Sequence, residues 1–285
     1  MSFPEAVIER FLAAHGLGKA RRAPLKSDAS FRSYERVAAA KGSFILMKAP
    51  PDKEDTRPFA ALSGYLCAKG FSAPKVLARD HEAGLLLLED LGDDLYTTLL
   101  KRETKRETEL YETAVDLLLA LHALPPPAAL PVGNGEVYPL KPYDGVLLNP
   151  ELALFAGWYL PAMGVEGADT IQRELEKAFR PLLAETLRAP AVLTLRDYHA
   201  DNQMWLKGRE GTKRVGLLDF QDAVLGHPAY DLVSLLQDAR RPYNADLEGR
   251  MLDRYLAGGG AARDEFRAAY QVLGAQRNLK IIGIF

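Results

Sequence analysis

Apolar residues recur at helical spacing through residues 5–17, at Val7, Ile8, Phe11 and Leu12, and stop at Gly16 and Gly18, which predicts an amphipathic helix. Two strand-like runs follow, 34–38 and 43–48, separated by Lys41-Gly42; they read as a hairpin whose second strand is closed by Lys48. Proline has no N–H to give to a ladder, so Pro50-Pro51 ends that strand. Helical spacing returns over 57–69 through Phe59, Leu62 and Leu66, with a stop at Gly70, and residues 76–78 and 84–89 read as two further strands. The order is helix, hairpin, helix, hairpin. Leu91-Gly92-Asp93-Asp94 then interrupts it with a polar, glycine-containing stretch of the kind that joins two lobes.

Beyond this hinge the helical period dominates. Residues 107–122 place Leu110, Ala114, Leu117, Leu118 and Leu121 on one side and are closed by Pro125-Pro126-Pro127. A Pro- and Gly-rich connection covers 128–150, and helical patterns follow at 151–163, 168–187, 228–239 and 247–256. Between them lie two short apolar strands, 191–195 and 215–218, each leading into an aspartate. The last helical pattern starts at Arg263 and reaches Phe285 without a stop signal, leaving open further helices beyond it. The chain thus divides into a mixed strand-and-helix lobe, 1–90, and a mainly helical lobe, 91–285.

With 285 residues, 48% of them hydrophobic, the chain can bury one large core or two smaller ones flanking a cleft. Lys plus Arg number 36 against 38 Asp plus Glu, so no overall basic field draws nucleic acid or an anionic membrane. Cys67 is the one cysteine, which excludes an internal disulfide and suits a reducing compartment. The first residues show no export signal and no apolar run is long enough to span a bilayer, so the expected location is the cytoplasm.

Candidate chemistry is concentrated in two segments. In Leu195-Arg196-Asp197-Tyr198-His199-Ala200-Asp201-Asn202 an aspartate after a short apolar strand is followed five positions later by asparagine, the spacing of a kinase catalytic loop. One carboxylate can accept the hydrogen bond of an attacking hydroxyl while an amide oxygen of the same loop completes a magnesium shell. In Val215-Gly216-Leu217-Leu218-Asp219-Phe220-Gln221-Asp222 a second strand ends in an aspartate, a hard-oxygen ligand suited to magnesium bridging phosphates. With five histidines and no His-x-x-x-His or Cys cluster, His199 beside Asp201 does not amount to a zinc site.

These segments and Gly226-His227-Pro228-Ala229-Tyr230-Asp231-Leu232 occur in order, and the chain resembles the aminoglycoside phosphotransferase and choline kinase family. Ser27-Asp28-Ala29-Ser30-Phe31-Arg32-Ser33-Tyr34, Asp219-Phe220-Gln221-Asp222-Ala223 and the run from Tyr230 to Leu236 are most similar to bacterial kinases that phosphorylate the anomeric hydroxyl of N-acetylmuramate and N-acetylglucosamine in cell-wall recycling. The resemblance covers nearly the whole chain. It implies an α+β, protein-kinase-like bilobal fold, ATP and Mg²⁺ as cofactors and an amino sugar as small-molecule partner. Residue by residue it implies that Asp197 is the catalytic base and that Asn202 and Asp219 hold magnesium. Lys48 would contact the ATP phosphates, Ser27 to Tyr34, with Ser27, Asp28 and Ser30 in it, would form the loop over them, and backbone groups of Glu89 and Leu91 would meet the adenine. Asp231 would tether the catalytic loop.

Several readings stay open on the residues themselves. Lys48 is either a phosphate ligand or a solvated strand-end lysine, and residues 27–30 are either a phosphate cradle or an ordinary turn or cap. Asp222 either reaches sugar hydroxyls or caps a helix; Arg241, after Arg240, either meets a lactyl carboxylate or is surface charge. The family often has His-Gly before the catalytic aspartate, where this chain has Leu195-Arg196, and its phosphate loop lacks glycine. Glu54 and Asp55 stand only at the start of their helix, so Lys48 is left without an assigned acidic partner. A kinase for choline, homoserine or an aminoglycoside would keep the same catalytic residues, and a catalytically silent nucleotide-binding regulator is the alternative from another class.

Overall fold

The computed structural model describes residues 3–25, 31–133, 135–242, 244–259 and 263–284. Its first part is a five-stranded antiparallel sheet in the order β1-β2-β3-β5-β4, formed by β1 (Arg21–Pro24), β2 (Ser33–Ala39), β3 (Gly42–Lys48), β4 (Val76–Asp80) and β5 (Leu85–Glu89). The edge strand β1 goes unpredicted because Arg21-Arg22-Ala23-Pro24 has no apolar alternation. The central hairpin pairs Ser33 with Lys48 and Ala39 with Gly42.

The pleat sends alternate residues to opposite faces. Val37, Leu46, Leu85 and Leu87 pack against Ile8, Phe11 and Leu12 of helix α1 (Glu5–Ala14). Met47, Leu86 and Leu88 join the main core with Phe59, Leu62 and Leu66 of α2 (Arg57–Ala68). Burying both faces explains why Phe44-Ile45-Leu46-Met47 and Leu85-Leu86-Leu87-Leu88 are continuous apolar runs.

From Glu89 the chain crosses through residues 91–94 into a region dominated by helices. The crossing is clamped to it: Trp205 donates its N–H to the Asp94 carbonyl at 2.7 Å, and Lys207 pairs with the Asp94 carboxylate at 2.7 Å. A short helix α3 (Tyr96–Arg102) that the sequence pattern did not predict precedes α4 (Glu107–His122), whose stripe of Leu110, Ala114, Leu117, Leu118 and Leu121 is fully buried. The expected connection at 128–150 contains a hairpin, β6 (Ala129–Gly133) and β7 (Glu136–Pro139), lying against α2, followed by the start of α5 (Gly145–Leu154). A π-helical turn over Phe155–Tyr159 and the single turn α6 (Leu160–Ala162) separate α5 from α7 (Ala168–Thr186).

Four three-residue strands form two antiparallel pairs: β8 (Val192–Thr194) with β11 (Val224–Gly226), and β9 (Gln203–Trp205) with β10 (Val215–Leu217). They hold the loop after β8 and the loop after β10 side by side. Helices α8 (Ala229–Leu236), α9 (Ala245–Gly259) and α10 (Arg263–Ile284) close the core behind them. No helix among the described residues is long and apolar enough to cross a membrane.

Candidate active site

A cleft of about 690 Å³ opens between the sheet and the helical part. Tyr34, Arg36, Ile45 and Leu88 line it from the sheet, Glu89 and Leu91 from the crossing, and Asn202, Met204 and Asp219 from the two loops. Burial pushes the Tyr34 phenol up to about 12, so it stays protonated as part of the wall.

The loop after β8 is held from below. Asp231, fully buried on α8, accepts the N–H of Leu195 at 2.7 Å and of Arg196 at 2.8 Å. Those bonds support a left-handed backbone at Arg196, φ 69°, which a residue with a Cβ does not adopt without cost. The Arg196 guanidinium is anchored as well, bonding Glu151 at 2.6 Å and lying over the Tyr143 ring at 5.2 Å. Burial would raise the Glu151 carboxyl, but Lys280 at 2.8 Å and the other partners outweigh it and hold it below the usual range. Leu195-Arg196, which departs from the pattern of the resembled family, thus has its own support.

Asn202 reaches back across its loop. Its amide nitrogen donates to the Asp197 carbonyl at 3.0 Å and lies 3.3 Å from His199 Nε2. Burial first, with Arg240 adding, holds His199 below its ordinary value, so the ring is neutral and can accept. The same nitrogen is 3.5 Å from Asp219 Oδ2. Asp219 also has a left-handed backbone, φ 53°, and Phe220 beside it stacks on Phe59 of α2 at 4.9 Å. Among the described residues no hydrogen bond or ion pair engages the Asp197 carboxylate.

The site therefore brings Asn202 and Asp219 together on the cleft wall, with Asp197 tied to Asn202 through its backbone carbonyl and not itself on that wall. A carboxylate and an amide oxygen are hard donors, and a two-donor set fits by its chemistry an ion that takes its remaining ligands from phosphates and water, as Mg²⁺ does.

Other expected residues are placed differently. Lys48 shares its face of the sheet with Leu46, the side that packs on α1, and its ammonium pairs with Glu35. Glu35 is held below the usual carboxylate range by the hydrogen bond from Arg22, with Lys48 adding to it. Lys48 is absent from the cleft wall, so assigning it to ATP phosphates is corrected by the parity of its strand. Glu89 spends its N–H on the Lys75 carbonyl, and its carboxylate pairs with Arg209 at 2.6 Å. Leu91 lines the cleft.

Ser27, Asp28 and Ser30 lie outside the described residues. Asp222 is exposed and precedes β11, not a helix, which removes the capping alternative; its carboxylate accepts from Gln221. Arg241 pairs with Glu107 at 2.8 Å in a separate cavity lined by Tyr111 and Asp238, away from the wall of the main cleft.

Arg32, inside the expected phosphate loop but not singled out in it, lines the cleft, and Gln221 touches the Asp219 carboxylate from beside it. Arg32 contacts Glu54 at 3.1 Å and Asp219 at 2.9 Å, and Gln221 donates to Asp219 at 3.0 Å. The period-two set Arg32, Tyr34, Arg36 was the available signal, since all three residues line the cleft.

Residues 21–269 match the phosphotransferase enzyme family. The chain belongs to that family. It is 42% identical to an N-acetylmuramate/N-acetylglucosamine kinase of Caulobacter vibrioides, over 99% of this chain and 85% of the relative. A Pseudomonas putida protein of the same name is 37% identical over 91% of this chain and 74% of its own length. An aminoglycoside phosphotransferase of Streptomyces rimosus in complex with ADP and streptomycin shares the fold at a TM-score of 0.58, 21% identity and coverage of 96% and 99% of the two chains. A choline/ethanolamine kinase family protein of Mesorhizobium loti superposes at 0.62 with 18% identity, over 97% and 83%. The fold is the protein-kinase-like one of these phosphotransferases, and the chain is a phosphotransferase.

Proposed function

We propose that this phosphotransferase moves the γ-phosphoryl group of ATP to the anomeric hydroxyl of N-acetylmuramate or N-acetylglucosamine. The observation that carries the reading is that Asn202 and Asp219 line one end of the cleft, with the loop of Asp197 hydrogen-bonded to Asn202, in a chain 42% identical over nearly its whole length to a kinase named for these sugars. Asp197, with its carboxylate unengaged, accepts the proton of the attacking hydroxyl and orients its oxygen. Asn202 and Asp219 would hold Mg²⁺, which when bound neutralises charge on the phosphates. Direct transfer needs no nucleophile from the protein, and catalysis comes from positioning and electrostatics. Because ATP is the donor, the cytoplasm is the proposed location.

The test is magnesium-dependent ADP release with N-acetylmuramate, N-acetylglucosamine, choline and kanamycin offered separately. Turnover is expected with the amino sugars, giving an acid-labile 1-phosphate, and Asp197→Asn should lower it about 10²- to 10⁴-fold. Stimulation by choline or kanamycin alone would refute the sugar assignment.

A further inference from the structure

A kinase of this fold needs a fixed cation where the triphosphate meets the sheet, and here Lys48 is turned to the opposite face. The residue of β3 with cleft-side parity next to it is Met47, which carries no charge. Among the described residues, the cleft wall has two cationic side chains, Arg32 and Arg36. Arg36 stands at the crossing, pairing with Asp90 at 2.8 Å and Asp93 at 2.7 Å. Arg32 stands at the other end, with Asn202 and Asp219.

Resting on the kinase reading above, we propose that Arg32 is the residue that binds the ATP phosphates in this chain, in place of a strand lysine. It immediately precedes β2, and its side chain is 10% exposed. A cation that deeply placed must be anchored to remain in position. Glu54, just before α2, supplies the anchor at 3.1 Å, as a helix glutamate does for the lysine in a protein kinase. The second contact, 2.9 Å to Asp219, puts the guanidinium beside the carboxylate assigned to the metal, where phosphate oxygens must also come. Guanidinium is the better group for that task, because its planar fork matches phosphate oxygens in pairs and stays charged when buried. Glu54, unassigned from sequence, and Arg32 then form one unit.

Binding of ATP, ADP and adenosine to the full chain, measured by calorimetry, separates the possibilities. Arg32→Met should weaken ATP roughly 10- to 100-fold, the worth of a hydrogen bond to a charged group, and leave adenosine affinity within about 2-fold. Arg32→Lys should fall between wild type and Arg32→Met, and Lys48→Met should bind ATP as wild type does. ATP affinity retained in Arg32→Met, or lost in Lys48→Met, would overturn the proposal while leaving the kinase reading intact. Parallel loss of adenosine and ATP affinity in Arg32→Met would assign it to holding the lobes together, and also overturn it. A wild-type chain that binds no ATP would defeat the kinase reading and this proposal together.

Discussion

Replacing Asp231 by asparagine tests the support of the catalytic loop at nearly constant shape. The two carboxylate oxygens accept the Leu195 and Arg196 N–H groups at 2.7 and 2.8 Å from a fully buried position. Asparagine keeps one acceptor and points an NH₂ group at the other N–H. One charge-assisted bond is lost, about 1.5–3 kcal/mol, and a buried N–H is left without an acceptor, about 1–3 kcal/mol. The left-handed backbone at Arg196, costing roughly 1–2 kcal/mol, is then less well opposed. Asp231→Asn should therefore lower the stability measured by urea unfolding by about 3–5 kcal/mol, in line with breaking buried charge-bearing contacts. The adjacent Asp197 would lose its position, and kcat should fall on the order of 100-fold, the effect of misplacing a reacting group by about 1 Å. A stability loss under about 1 kcal/mol, with kcat within 3-fold of wild type, would refute this account of the tether.

His227 gives a pH dependence. Burial holds its imidazole down at about 4, and its Nδ1 accepts the Ala229 N–H at 3.0 Å, which requires that nitrogen unprotonated. Because the folded value lies below the unfolded one near 6.5, the contribution is fully present above pH ~6.5 and is lost as pH falls toward ~4, amounting to about 3 kcal/mol. Urea titrations at several pH values should show that slope, and His227→Asn, which can still accept from Ala229, should flatten it; an unchanged slope would count against His227 as its source. Gly84 has φ 66°, and a Cβ there would lie 1.9 Å from the Ala49 carbonyl oxygen, so Gly84→Ala should force β3 and β5 apart and cost more than about 3 kcal/mol in thermal unfolding. Gly164, φ 71° with open space around it, is the control: Gly164→Ala should cost only about 1 kcal/mol, and equal losses at the two sites would refute the steric argument.

The helix Glu107–His122 was legible to the residue, since a 16-residue amphipathic stripe closed by prolines is a local pattern that packing reinforces. Asp197, Asn202 and Asp219 were legible as candidates because loop spacing and ligand chemistry are written in side-chain type. What lay outside local pattern was missed. β9 and β11 have three residues each, too short to show a period, and the β6–β7 hairpin contains Pro131 and Pro139, which read as loop.

The face presented by Lys48 was a tertiary decision. In Phe44-Ile45-Leu46-Met47-Lys48 both faces of the strand are apolar, so alternation cannot say which side meets α1 and which the cleft. Only the docking of α1 against Leu46 settles that Lys48 turns away and pairs with Glu35. The meeting of Arg32 with Glu54 and with Asp219, 187 residues further on, is likewise a product of two lobes closing on one another. Sequence by itself determined the chemical types of the site and their local spacing, because these depend on neighbours in the chain. Which charges face the cleft depends on packing between distant segments, and that the tertiary structure alone decided.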